Sequence, residues 1–147
     1  MTLSQATLDK VAPFVNHFDA MLNTALTNIN NKLSFKGLGE SGFKIISYQD
    51  IFLNLLNELT NRIGGIVFND IRNGVASKPA FSELKSYIEE QINPLTLNFK
   101  NNFFEPLVKG VLSNPVSVNE VNLNFEAQLK SNLAMRFVIL EQEFDSL

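Results

Sequence analysis

The residues able to do chemistry are few, and their spacing excludes most of the reactions they could support. Cysteine is absent and histidine occurs once, at His17. Zinc sites draw several ligands from His and Cys, and a helical di-iron site needs Glu-x-x-His twice, so this chain lacks the donors for either. Without a thiol there is also no disulfide, thiolate nucleophile or redox switch. A hydrolytic triad would have to centre on His17, whose acidic companions Asp9 and Asp19 are neighbours only in sequence. A haem held by a proximal histidine in the second half of the chain is excluded by the same count.

Carboxylates are the remaining candidates for acid–base work. Glu89 and Glu90 are adjacent, and Glu141 and Glu143 are two apart; on a helix neither spacing brings the groups together. They are expected on solvated helix faces. Gly37-Leu38-Gly39-Glu40-Ser41-Gly42 spells G-x-G-x-x-G. A dinucleotide site needs a strand before that stretch, a helix opening on it and an acidic residue about 20 positions later. Here a helical pattern precedes it, and Glu58 falls inside another. As a P-loop it fails too, with Phe43 in the lysine position and Lys44 one residue late. The stretch is expected to be an interhelical loop. No catalytic residue, metal or cofactor is expected, and the chain is read as non-enzymatic.

The elements that carry these residues are written in apolar spacings of three and four. Leu8, Val11, Val15, Phe18, Leu22, Leu26, Ile29 and Leu33 form one stripe along several turns of helix. Pro13 lies within it, so this helix starts near the proline or kinks there. A capping-box-like Ser47-Tyr48-Gln49-Asp50 opens a second, wider stripe from Phe52 to Val75, interrupted by Gly64-Gly65. The glycine pair predicts a bend or a close helix crossing. A third stripe runs from Phe81 through Ile92, Phe99, Phe103 and Leu107 to Val111, with Pro94 and Pro106 inside it. A fourth follows a second capping box, Ser117-Val118-Asn119-Glu120. Val121-Asn122-Leu123-Asn124-Phe125 alternates like a short strand, but the longer helical match outweighs it. The sequence therefore predicts a single all-α domain over residues 1–147. Its architecture is an antiparallel four-helix bundle, up-down-up-down, with helices near 7–33, 47–75, 79–113 and 117–145. The third helix is expected to be kinked or split at Pro94 or Pro106.

The chain has 147 residues, enough for one sizeable core without staples. A net charge of −3 with no cluster of Lys or Arg argues against a nucleic-acid or anionic-membrane partner. No apolar run is long enough to be transmembrane. The first ten residues lack the pattern of a signal peptide, and a mature secreted form fits the sequence as well as a cytoplasmic one, so the localisation stays open.

Two compositional biases point to function. Thirteen phenylalanines against two tyrosines and no tryptophan make the aromatic content almost wholly apolar. Bulky rings on interrupted helices predict an apolar cavity, lined by Phe18, Phe52, Ile92, Phe99, Phe103 and Phe137, that holds an apolar small molecule or lipid between the helices. The alternative is a helical protein–protein interaction or structural module, such as a homodimer. It rests on Ile51, Leu53, Phe68, Phe104 and Leu123, which lie off the main stripes. The second bias is asparagine, with 19 residues where a bundle surface would ordinarily use Glu and Lys. It predicts a weakly charged polar surface suited to a protein or lipid partner.

Overall fold

The computed structural model describes residues 3–39 and 41–147. Glu40, within the G-x-G-x-x-G stretch, lies outside the described residues. Four long helical rods make up the fold: α1 (Gln5–Phe35), α2 (Gly42–Arg72), a third rod, and α5 (Pro115–Asp145). The third rod consists of α3 (Phe81–Phe99), a π-helical turn (Lys100–Phe104) and α4 (Glu105–Val111). No strand occurs among the described residues, and Val121–Phe125 lies inside α5. Each of α1, α2 and α5 has 31 residues, a length of about 46 Å at ~1.5 Å per residue.

The helix ends are set by local chemistry, and several differ from the expected bounds. Ser4 caps α1 by accepting the Thr7 N–H at 3.2 Å, so the helix begins before Pro13 and runs through it. α2 starts at Gly42, not at Ser47, because Ile45 is buried and extends the apolar face toward the loop. Ser47 is therefore inside the helix. At the other end Gly74, at φ 74°, provides the stop. α5 starts with Pro115 behind Asn114, whose Oδ1 accepts the Val116 N–H at 2.9 Å; the Ser117 box is likewise internal.

The third rod divides only once. The helix passes Pro94 unbroken, and the irregularity sits just before Pro106, where the Glu105 N–H bonds back to the Lys100 carbonyl. This five-residue step accommodates the ring and missing N–H of Pro106. It also rotates the register. Beyond Phe99 the buried positions become Phe104, Leu107 and Val108, while Phe103 is only half-buried. Phe104, which falls off the sequence stripe, is thereby carried into the core.

Consecutive rods run antiparallel. The start of α1 meets the end of α2 through Thr7 and Asp70, and Tyr48 near the start of α2 donates to Asn30 near the end of α1. The third rod and α5 meet head to tail through Phe81 with Phe144 and Phe104 with Phe125. α2 and α5 lie side by side in parallel, matched at Gln49 with Gln128, Asn57 with Asn132 and Phe68 with Phe144. Gly64 lies on this seam, where a Cβ would stand 2.8 Å from Leu140 Cδ2. That crossing accounts for the first glycine of the pair. Gly65 faces open space. Among the described residues no Cα of α1 lies within 8 Å of one in α5, so α2 and the third rod form the inner pair of the bundle.

Candidate binding site

Phenylalanines from every rod meet where the π-helical turn lies. The Phe18 ring stands edge-on to Phe52 at 6.0 Å, and Phe52 stacks on Phe99 at 4.2 Å with 3° between planes. Phe99 continues to Phe103 at 6.5 Å and Phe104 at 5.7 Å, and Phe104 lies 4.6 Å from Phe125. Each pair is within the ~4.5–7 Å range of favourable ring contacts or slightly closer. The structure thus brings together four of the expected cavity residues, Phe18, Phe52, Phe99 and Phe103. Ile92 lies in the same core two turns back along α3. Phe137 is buried in the same core but outside this run of ring contacts, with the Lys85 ammonium 5.4 Å from its ring centre. The space between Phe52 and Phe99 is occupied by the rings themselves.

Open apolar space lies instead on the outer seam of α1 and α2. A groove of about 220 Å³ is lined by Phe14, Phe18, Met21, Leu55, Leu59 and a polar edge of His17, Glu58 and Arg62. It continues past His17, Met21 and Leu55 into a second depression of about 400 Å³ that reaches Ala25 and Asn28. Helical spacing explains the lining. Phe14, His17 and Met21 recur at i, i+3 and i+7 on α1, and Leu55, Glu58 and Arg62 recur the same way on α2. Phe14 is 40% and Met21 42% exposed, while Phe18 beneath them is 2% exposed and joins the groove to the ring cluster. Arg62 covers one end, its guanidinium carbon 4.8 Å from the Phe14 ring centre. This cation–π contact leaves the guanidinium N–H groups facing water or a ligand.

Sequence reasoning missed Phe14, Met21, Leu55 and Arg62 as a group. The stripe pattern marks what is buried, and these residues sit at its border. Leu55, a member of the wide second stripe, was the available signal. Of the residues expected to spread apolar surface outward, Leu53, Phe68 and Phe104 are buried, Ile51 is half-buried, and only Leu123 is exposed.

The ionic chemistry lies elsewhere. Asp70 is buried at the α1–α2 end, and hydrogen bonds from Lys10 and Thr7 hold its carboxyl below the usual carboxylate range against the opposing effect of burial. Lys100 pairs with Glu126 across the third rod and α5, and that hydrogen bond raises its ammonium above the usual lysine value. Among the described residues no group of three or more His, Cys, Asp or Glu is placed to hold a metal ion. His17 is exposed at the groove edge, without a carboxylate among its hydrogen-bond partners. No helix is long and apolar enough to cross a membrane. Comparison with known families, curated proteins and solved structures finds no match for this chain.

Proposed function

We propose that the chain is a non-enzymatic binding protein that holds an apolar small molecule or lipid chain between α1 and α2. The observation that carries this reading is the α1–α2 groove. Large apolar side chains remain partly exposed there around a concavity, whereas the central rings are packed on one another. The groove alone is smaller than the ~300–1,000 Å³ of a drug-sized site, so a ligand of ordinary size would extend along the seam into the neighbouring depression. An elongated molecule suits that shape better than a compact one. His17, Glu58 and Arg62 would meet its polar end.

Titration with the apolar dye Nile red, followed by displacement with dodecanoate, tests the reading. Met21→Trp and Leu55→Trp fill the groove from either side and should abolish dye binding without loss of helicity. Dye that stays dark on the wild-type chain, or that binds both variants as well as wild type, would refute it.

A second reading is supported by α5. Met135, Val138 and Ile139 are 66%, 55% and 38% exposed and share one outward face at i, i+3 and i+4. Such a face suits a homodimer or a helical protein partner. Native mass spectrometry separates the two readings: a monomer with a bound small molecule supports the groove, and a dimer sensitive to Val138→Glu supports α5.

A further inference from the structure

We propose that the α1–α2 tip is a membrane-docking element that seats Phe35 and Phe43 in the surface of a bilayer containing anionic lipid. Phe35, the last residue of α1, is 95% exposed. Phe43 and Ile46, one helical turn apart at the start of α2, are 63% and 59% exposed. Loop and helix starts of a water-soluble surface rarely leave two whole phenylalanine rings standing free at one tip. Phe35 closes α1 and Phe43 opens α2, so the rings flank the connection of a helical hairpin, with Gly37 at φ 75° between them. Exposed rings at a hairpin tip suit a deformable lipid interface.

The charge around the tip has the matching sign. Lys32, Lys36 and Lys44 against Glu40 give residues 32–46 a net charge of +2, which leaves −5 on the rest of a chain whose total is −3. Lys32 and Lys36 are exposed, and Lys44 reaches over the Tyr48 ring at 5.7 Å. The adjacent turn at the same end, between α4 and α5, adds the 66%-exposed Val116 and is neutral, with Lys109 offset by Glu120. Stable attachment of a peripheral protein takes two signals, apolar insertion and basic residues facing anionic headgroups, and the tip carries both. The overall charge of −3 argues against such a partner only when averaged over the whole chain; residues 32–46 carry a local +2, and the same stretch carries both rings. The proposal does not depend on the α1–α2 groove, which lies farther along the same helices.

The absence of tryptophan makes the test direct, because Phe35→Trp gives the full chain a single indole fluorophore at the tip. Phosphatidylcholine vesicles with phosphatidylserine should shift its emission to the blue and sediment the protein, and pure phosphatidylcholine vesicles should do neither. Lys32→Glu with Lys36→Glu reverses the sign of the tip and should lower partitioning at least ~10-fold. Phe35→Ser with Phe43→Ser should abolish sedimentation while helicity, read by circular dichroism, is unchanged. Val75→Trp, exposed at the opposite end of the bundle, should keep its emission in water. An unshifted Phe35→Trp spectrum with anionic vesicles overturns the proposal, as does an equal shift with pure phosphatidylcholine or with Val75→Trp. A blue shift without vesicles that grows with protein concentration also overturns it, because the tip would then be meeting another copy of the chain.

Discussion

Replacing Asp70 with asparagine would probe the lock between the start of α1 and the end of α2. Asp70 is 2% exposed; its Oδ2 accepts from Thr7 Oγ1 at 2.7 Å and its Oδ1 from Lys10 Nζ at 2.7 Å. Hydrogen bonds to a charged group are each worth about 1.5–3 kcal/mol. The Lys10 side chain is 51% exposed, so solvent screening reduces that partner to about 1 kcal/mol or less. Asparagine keeps an acceptor for Thr7 but at neutral strength. The sum is a loss of about 2 kcal/mol at neutral pH, or roughly 4–8 °C in Tm for a domain of this size. Asp70→Ala should cost more, because Thr7 then retains only the Ser4 hydroxyl at 2.9 Å. The sign of the pH dependence follows from the depressed folded pKa. The contribution is complete above the unfolded carboxylate value near pH ~4 and is lost as pH falls through the folded one. Urea unfolding by circular dichroism at pH 7 and pH 2.5 should therefore show a gap between wild type and Asp70→Asn that narrows in acid. Equal stability at pH 7, or a gap unchanged in acid, would refute the assignment.

Five further substitutions separate packing from surface. Gly65→Ala should stabilise α2 by about 1 kcal/mol, since nothing lies within 4 Å of the added Cβ, whereas Gly64→Ala should give no gain because Leu140 must move. Paired thermal melts check that contrast. Leu53→Glu and Phe68→Glu place a charge at buried sites and should unfold the monomer, visible as lost helicity at any protein concentration. Phe99→Ala should cost about 3–5 kcal/mol by opening a cavity in the ring cluster, while Nile red binding at the groove persists in the folded fraction.

The helical class was legible because the first stripe from Leu8 to Ile29 either enters the core or packs against it, and Leu33 is buried near the end of the same helix. Spacing alone could not show the π-helical turn. Phe103 and Phe104 are adjacent, and only the inserted residue before Pro106 decides which of them faces inward. The capping boxes at Ser47 and Ser117 misplaced two helix starts for a related reason. A Ser with an acidic residue three positions on is compatible with a helix interior, and tertiary burial of Ile45 outweighs the local signal. The site was less legible than the fold. Phe52 and Phe99 are conspicuous in sequence because they are central, and central rings pack on each other. Phe14 and Met21 border the stripe, and their joint exposure exists only once α1 and α2 are laid together.

The asparagines acquire a structural meaning in the same way. Asn30 accepts from Tyr48 between α1 and α2, Asn98 donates to Asp19 between the third rod and α1, and Asn57 donates to Asn132 between α2 and α5. Gln49 and Gln128 add a further amide pair on that last seam. Apart from the exposed Asn98–Asp19 pair, these side chains sit part-buried at helix borders, where a charge would be costly to desolvate and an apolar group would leave register undefined. The problem is real for four rods of matched length with Leu- and Phe-rich faces, because sliding one along another by a turn exchanges one apolar contact for the next. An amide pair cannot slide without losing its partner in a half-buried place. The parallel α2–α5 seam shows the division most clearly: amides fix its first half at Gln49 and Asn57, and close packing of Gly64 on Leu140 and Phe68 on Phe144 fills the second. In this bundle the phenylalanines supply the cohesion, and amide pairs at the helix borders choose the alignment.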